Sequence, residues 1–394
     1  MEWLSSLQEP RKRRARIPLH TMAVCAFLLV SSRLGSLNAL EKCRRGKLWR
    51  QIGVKGRLPS ADQLGRVCAT LAPREVRRHM CTIYRRQKRR KALSPAVAGN
   101  LFALVVDGHE SSASYLRCCD DCLTRRINKD TPRERVQYYH RLVMGVLVCK
   151  GYAMLLDVEL QRKGENEVAC AMRLLERLLA DYPRAFDLVV ADGLYAQAPF
   201  FKKVRAAGKH IIAVLKNEER CLAGDAEALC KCTAPRWLNS SRTKRQVWDI
   251  EHLESWPQVG MPVRVVRSVE TTTVQRQNGG LEKLTTHWMW VSSIPRGYLA
   301  TKQFVEVAHD RWDIENRAFN ELVTYWHADH VYRHDANAIL VFWLMTMVAY
   351  NIYHAFFFGN IKPQLRERLG KYRIADALRA ELIAQDLPHA LSDP

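Results

Sequence analysis

Acidic residues are scarce at the start of this sequence, where basic residues are abundant. Residues 1–100 contain 5 Asp and Glu against 23 Lys and Arg, so they carry most of the net charge of +22. Such an imbalance argues against cationic partners and predicts a polyanionic one. Because the charge is concentrated in one region, we expect a DNA-binding segment there rather than a uniformly basic surface.

Long apolar runs are also rare. The run at 338–359 is long enough to span a bilayer, but Asn351 and His354 interrupt it, so we expect a buried core helix and no membrane partner. The shorter apolar stretch at 22–30 lacks the small residues of a signal-peptide cleavage site. The twelve scattered cysteines are therefore expected to be reduced thiols in a cytoplasm.

The sequence of the basic segment predicts helices. Its two densest charge runs lie at 11–16 and 85–91, and either run alone is typical of a solvated helix face. Together they favour phosphate contacts, although no finger or helix-turn-helix signature is present. The predicted DNA-binding residues of this segment are Arg13, Arg14, Arg86, Arg89 and Arg90.

Two apolar runs end in the same way. Residues 101–106 lead into Asp107-Gly108, and residues 186–191 lead into Asp192-Gly193. A continuous apolar run is typical of a strand buried on both faces, and the glycine allows a sharp turn after it. We expect both aspartates at one rim of a sheet, where two carboxylates suit a divalent metal ion.

The order of predicted elements indicates an α/β fold. Three strands, a helix, a strand, a helix and a strand (β-β-β-α-β-α-β) form the order of a ribonuclease-H-like core with a mixed sheet. A β-rich insertion then precedes one long helix at about 301–325. The predicted divisions are a basic helical region at 1–98, the first part of the core at 99–216, the insertion at 217–298, the second part of the core at 299–360 and a helical tail at 361–394.

The long helix carries a third acid. Arg311 and Glu315 are four residues apart and share one helical face, which alone would indicate an intrahelical salt bridge. After the core strands, however, Glu315 is placed to join Asp107 and Asp192. Three crowded carboxylates repel one another unless cations lie between them, and two Mg²⁺ ions would relieve that repulsion.

These residues resemble the DDE transposases of bacterial insertion sequences, in the IS-four-like group. Arg311 and Glu315 match the group's signature on the glutamate helix, whereas Ala308 and Leu322 stand at its Tyr and Lys positions. Further likeness lies in the segments DGHE at 107–110, ADGLYA at 191–196, RWDIEN at 311–316 and FNEL at 319–322. The resemblance covers roughly residues 100–360.

The resemblance implies that Asp107, Asp192 and Glu315 bind two Mg²⁺ ions, with Mn²⁺ able to substitute, and that Arg311 contacts phosphate at the transposon end. It implies cleavage of double-stranded DNA at the terminal inverted repeats and transfer of the 3′-hydroxyl into target DNA by a homodimer, in a nucleoid-associated bacterial protein. Two alternatives stay open: a ribonuclease-H-like nuclease without strand transfer, and a DNA-binding protein that has lost catalysis.

A second, weaker metal pattern lies at 118–122. Cys119 and Cys122 form a C-x-x-C pair, and His140 follows downstream, so a zinc site is one interpretation and ordinary buried thiols are the other. The remaining ligands that the sequence offers are His109, Cys118, Cys230 and Cys232.

Overall fold

The computed structural model describes residues 2–12, 15–42, 54, 57–95, 101–150, 153–216, 221–240, 243–275, 279–314 and 318–384. Three predicted site residues, Arg13, Arg14 and Glu315, lie outside these ranges. For residues 310 and 312–314 the backbone is described and the side chains are not.

One mixed sheet of ten strands dominates the described part of the chain. The strands are β1 (Ala103–Ser114), β2 (Leu123–Ile127), β3 (Arg135–Val148), β4 (Ala153–Leu160), β5 (Leu188–Ala191), β6 (His210–Val214), β7 (Arg236–Asn239), β8 (Thr243–Leu253), β9 (Val263–Gln275) and β10 (Leu281–Ser292). The order across the sheet is β2-β3-β1-β5-β6-β10-β9-β8-β7, with β4 also paired to β3. A mixed α/β sheet of this kind is consistent with the ribonuclease-H-like core that the sequence predicts.

The central strands fix where the acids lie. β1 and β5 are parallel neighbours, with Val106 opposite Ala191, and β5 and β6 are parallel neighbours in turn. Parallel neighbours end at the same rim, so Asp107 on β1 and Asp192 just after β5 lie side by side. The strong apolar character of these strands follows from their burial on both faces.

The prediction of three strands before the first core helix was wrong by one strand. Leu123–Ile127, which the sequence suggested was part of a polar loop, forms β2 and pairs with the first half of β3. Most of its residues are exposed, so it carries no apolar run that would identify it as a strand. Its stability comes instead from ladder hydrogen bonds to β3, a long strand that the hydrophobic pattern does predict.

The helices are α1 (Glu2–Ser5), α2 (Leu19–Ser31), α3 (Leu37–Lys42), α4 (Ala61–Cys68), α5 (Pro73–Arg89), α6 (Glu167–Asp181), α7 (Ala198–Ala206), α8 (Cys221–Cys232), α9 (Thr301–Ile314), α10 (Asn320–Trp326), α11 (Ala336–Asn360) and α12 (Pro363–Ala384). The helix predicted at 301–325 corresponds to α9 and α10, and residues 315–317 between them are not described. A left-handed Gly370 (φ 67°) kinks α12.

The insertion extends the core sheet. β10 pairs antiparallel with β6 through Trp290–Ser292, and β9, β8 and β7 follow outward. The two short strands predicted at 263–269 and 271–275 form a single strand, β9. The insertion also contains α8, a helix that the predicted β-rich character did not include. The sheet therefore continues without interruption from the acid-bearing strands into the insertion.

Helix α11 runs through the core. It is long and apolar enough to cross a membrane by composition, but 72% of its most apolar window is buried inside the protein. Its polar residues have partners: Asn351 donates to the Leu155 carbonyl at 2.7 Å and accepts from the Leu155 N–H at 3.0 Å, and His354 lies 3.2 Å from Glu321. These contacts satisfy buried polar groups, as expected of a core helix.

The N-terminal helices pack on the same core. α2, α4 and α5 all contact α11, and α5 also contacts β4. Arg77 of α5 donates to Asp157 of β4 at 2.8 Å and to the Val158 carbonyl at 2.8 Å. The basic segment is therefore anchored to the sheet by buried charge and by apolar packing together.

Candidate active site

Asp107 and Asp192 lie at the rim where the pairing between β1 and β5 ends, just beyond Val106 and Ala191. Asp107 Oδ1 accepts from the Gly108 N–H at 2.8 Å, and Asp192 begins a short 3₁₀ turn at Gly193–Tyr195. Both side chains are largely but not fully buried, at 15% and 26% exposure. The structure thus brings together the two acids that the sequence identified. The prediction of a turn at Gly108 was wrong, because β1 continues through Gly108 to Ser114 and stays paired with β3.

Arg311 of α9 lies against both acids. Its Nη1 is 3.3 Å from Asp107 Oδ2, and its Nη2 is 3.8 Å from Asp192 Oδ1. The guanidinium is 7% exposed, so its charge acts across a region that water hardly enters. The sequence predicted that Arg311 contacts DNA phosphate; that remains a prediction, and in the structure the residue supplies positive charge to the acid pair.

A second positive group at this rim, Lys216, was missed by the sequence analysis. Lys216 follows β6, and its Nζ lies 2.9 Å from Asp192 Oδ2. Its side chain is 63% exposed, so it also faces solvent. A signal for it existed, because the apolar run at 211–215 is followed by Lys216, just as the runs at 101–106 and 186–191 are followed by aspartate.

The electrostatics keep Asp192 ionised. Burial raises the pKa of its carboxyl, but the hydrogen bonds from Lys216 and the Gly193 N–H, together with the charge of Arg311, outweigh burial and leave the pKa below its usual value. Even so, Asp192 Oδ1 is buried and accepts no hydrogen bond from the described residues. A buried, ionised oxygen without a donor suits a cation as its partner.

Gly108, the residue after Asp107, is packed by a carboxylate that the sequence analysis also missed. Glu167, in the first turn of α6, lies so close to Gly108 that a Cβ at that glycine would be 2.4 Å from its Cδ. Tyr195 donates to Glu167 Oε1 at 2.8 Å, and Arg141 Nε lies 3.0 Å from Oε2. Burial, followed by the neighbouring Glu167 charge, raises the pKa of Tyr195, so its hydroxyl stays a donor.

Helix α9 is held in place from the insertion. His309 Nε2 lies 2.7 Å from Glu270 Oε1 on β9, with its ring edge-on to Trp288 and Trp290. Burial raises the pKa of Glu270, but the His309 and Arg245 contacts outweigh it and bring the pKa to about 2. The insertion thereby fixes the helix that carries Arg311.

The two mismatched signature positions are both in the core. Ala308 is 5% exposed and Leu322 is fully buried, so apolar side chains suit them better than Tyr or Lys would. Their burial explains why half of that signature can be absent without disturbing Arg311.

The predicted DNA-binding arginines of α5 are exposed. Arg86, Arg89 and Arg90 lie at its C-terminal end, where basic side chains also favour the helix dipole. Arg86 and Arg90 line a cavity of about 810 Å³ between α5 and the end of α11. Their contact with DNA remains a prediction, as does that of Arg13 and Arg14.

Comparison with known protein families gives one decisive match. The model of the transposase DDE domain matches residues 106–352, which is more than half of the chain. The chain belongs to this family. The match begins one residue before Asp107, includes Asp192 and Arg311, and ends within α11. A search of curated proteins finds no match.

Membership in a transposase family makes DNA the substrate class of this DDE transposase and implies a nuclease and strand-transferase enzyme. Transposases of this family generally use divalent metal ions. The donor set at the rim fits such ions: one carboxylate on β1 and one just after β5, the second with a buried oxygen that lacks a hydrogen-bond donor among the described residues.

Proposed function

We propose that this chain is the transposase of a bacterial insertion sequence of the IS-four-like group. In this proposal it binds the terminal inverted repeats of its element as a homodimer, cleaves the DNA there and joins the 3′-hydroxyl to target DNA. The observation that carries the proposal is the pair Asp107 and Asp192, adjacent at one sheet rim with the buried guanidinium of Arg311 across both. Two adjacent carboxylates repel each other, and bound divalent ions would relieve that repulsion beyond what Arg311 and Lys216 provide.

Asp107, Asp192 and Glu315 would hold two Mg²⁺ ions, with Mn²⁺ able to substitute. When bound, such ions supply charge neutralisation and a polarised water for phosphodiester cleavage. Arg311 holds the two aspartates in place and balances their charge. Lys216, which is exposed beside Asp192, offers its ammonium to a phosphate of the DNA strand.

The reaction needs positioning more than a protein nucleophile, because phosphoryl transfer proceeds in line between two oxygens. The rim provides rigid positioning: Asp107 is part of a ladder strand, Asp192 begins a hydrogen-bonded turn, and α9 is tied to Glu270 through His309. These attachments support cleavage at a defined bond.

The test uses purified full-length protein and DNA carrying the inverted repeats that flank its reading frame. Wild-type protein with Mg²⁺ should nick the labelled repeat and join it to a target plasmid. Asp107→Asn, Asp192→Asn and Glu315→Gln should bind the repeat without cutting it. Glu110→Gln is the matched control, because Glu110 is three residues beyond Asp107 but pairs with Arg125 at 2.8 Å.

The outcomes separate the alternatives. Nicking without joined product would favour a nuclease that lacks strand transfer, and binding without nicking would favour a DNA-binding protein that has lost catalysis. A Glu167→Gln variant that cannot cut, beside a Glu315→Gln variant that can, would transfer the third acid to Glu167. Undiminished cleavage by Asp107→Asn and Asp192→Asn would overturn the proposal.

A further inference from the structure

A second cluster of metal-ligating side chains lies at the base of the β2–β3 hairpin. Cys119 and Cys122, just ahead of β2, face His140 of β3. Each thiol sulfur lies 3.2 Å from His140 Nε2, and the two sulfurs are 3.6 Å apart. Three ligand atoms from two separate segments therefore converge on one point.

These distances suit tetrahedral zinc. Zn–S bonds of about 2.3 Å and a Zn–N bond of about 2.0 Å require sulfurs about 3.8 Å apart and sulfur–nitrogen separations of about 3.5 Å. The observed separations are within a few tenths of an ångström of those values. Moreover, the Cys119 N–H donates to Cys122 Sγ at 3.2 Å, the kind of hydrogen bond that stabilises a ligating thiolate.

The other ligands that the sequence offered are elsewhere. His109 lies 2.9 Å from Asp329 and stacks on Phe319, and Cys118 is exposed. Cys230 and Cys232 are on α8 of the insertion, and in the described residues the ligand atoms that group together are those of Cys119, Cys122 and His140. A fourth ligand must therefore come from another part of the fold.

His334 is placed to be that ligand. It lines, together with Cys122 and His140, a cavity of about 270 Å³, and it lies just before α11. Its Nδ1 is buried and has no hydrogen-bond partner among the described residues, an arrangement that is costly for an imidazole nitrogen. His330 lines the same cavity, but no such orphaned nitrogen of His330 is found in the described chain.

We propose that Cys119, Cys122, His140 and His334 form a structural zinc site. The site joins the β2–β3 hairpin to the segment at 327–335 that precedes α11, across almost two hundred residues of sequence. That segment also holds Asp329, the partner of His109, which is two residues beyond Asp107 on β1. The zinc site would therefore fix the segment at 327–335 beside Asp107 and Asp192. This proposal does not depend on whether the acids perform transposition.

Metal analysis of the full-length protein provides the test. Protein purified with reductant and dialysed against Mg²⁺ should retain one zinc per chain by mass spectrometry. Replacement with Co²⁺ should give the intense visible absorption of a tetrahedral site and a thiolate charge-transfer band. Cys119→Ser and Cys122→Ser should lose the metal, and Cys118→Ser, the matched control at an exposed neighbour, should retain it.

The fourth ligand is tested by two histidine variants. His334→Ala should weaken zinc binding by more than the 10- to 100-fold typical of losing a hydrogen-bonding neighbour of a ligand, whereas His330→Ala should bind normally. Extraction of zinc from wild-type protein by a chelator should increase hydrogen exchange at 327–335, which tests the linkage without any variant. Absence of zinc and of the cobalt spectrum, or a Cys119–Cys122 disulfide in their place, would overturn the proposed site. Loss of zinc in His330→Ala but not in His334→Ala would overturn the assignment of His334 as the fourth ligand.

Discussion

Two pairs of acidic residues lie in the same sheet and differ in the counter-charges and hydrogen bonds around them. On β4, Asp157 and Glu159 are enclosed by Arg77, Arg173 and Arg177. At the rim of β1 and β5, Asp107 and Asp192 share one buried arginine and one exposed lysine, and Asp192 keeps an oxygen without a hydrogen bond from the described chain. The comparison supports the proposed site, because the rim pair differs from the β4 pair in an exposed counter-charge and in an oxygen without a hydrogen bond from the described chain, rather than in acid content.

The electrostatics of the β4 pair support a purely structural role. Burial raises the pKa of Glu159, but the charges of Arg177 and Arg173 outweigh it and leave the pKa below its usual value. Asp157 is 2% exposed and bridges α5 and α6 through Arg77 and Arg177. The cluster holds the basic N-terminal helices against the sheet.

The largest expected effect separates the two pairs by activity. Asp107→Asn and Asp192→Asn should each slow strand cleavage by more than about 1,000-fold, because neither amide can replace a carboxylate toward a divalent cation. Without metal, the midpoint of thermal unfolding should change little for Asp107→Asn and fall modestly for Asp192→Asn, because the lowered pKa of Asp192 means that its neighbours stabilise the ionised carboxyl. Single-turnover cleavage of a labelled repeat and calorimetry measure the two quantities. A large loss of stability would make the rim acids structural.

The reverse pattern is expected at β4. Asp157→Asn should destabilise the fold by roughly 2–4 kcal/mol, because it removes the most buried carboxylate of the cluster and leaves Arg77 and Arg177 to share Glu159. Cleavage per folded molecule should be unchanged. Urea unfolding reports the stability, and Glu176→Gln serves as control, since its pair with Lys203 is on the surface and contributes little. Equal midpoints for Asp157→Asn and the control would contradict the comparison.

The anchor of α9 should make stability depend on pH. Because the pKa of Glu270 is lowered to about 2 from a usual value of 4.5, its contribution is full above about pH 4.5 and is lost as pH falls towards 2. The free energy of unfolding of wild-type protein should therefore exceed that of Glu270→Gln by at most roughly 3 kcal/mol at neutral pH. This difference should decrease as the pH falls. Unfolding of both proteins between pH 7 and pH 3 tests this. A constant gap would mean that Glu270 acts through packing alone.

A smaller effect is expected where the rim meets Glu167. Gly108→Ala should cost about 1–3 kcal/mol and slow cleavage, because the new methyl group overlaps the Glu167 carboxylate and displaces its hydrogen bond with Tyr195. Combining it with Glu167→Ala removes the overlap, so the double variant should be more stable than the two separate costs predict. Strict additivity of unfolding free energies would show that the two residues do not compete for space.

The smallest effects are expected at the exposed basic end of α5. Arg86→Ala and Arg89→Ala should each weaken DNA binding modestly and equally for all sequences. The dependence of the logarithm of affinity on the logarithm of salt concentration should fall by about 0.9 for each lost phosphate contact. Fluorescence anisotropy across a salt series measures this slope. An unchanged slope would place the DNA elsewhere on the basic surface.

The acids could be predicted from sequence because each ends an uninterrupted apolar run, and buried parallel strands produce that pattern. Strand β2 could not, because its exposed residues carry no hydrophobic signal. The position of Arg311 between Asp107 and Asp192 depends on how α9 packs across the sheet, which helical spacing does not encode. The position of His334 beside the same cavity as His140 could not be predicted either, because it depends on the path of the chain before α11.

The most direct test of the central claim is Mn²⁺ uptake by the complex with repeat DNA, followed through the electron paramagnetic resonance signal of the free ion and corrected for DNA alone. Wild type and Asp157→Asn should bind the same additional Mn²⁺, up to two ions per chain, whereas Asp192→Asn should bind fewer and more weakly. Equal uptake by Asp192→Asn and wild type would contradict the assignment of Asp107 and Asp192 as the metal site.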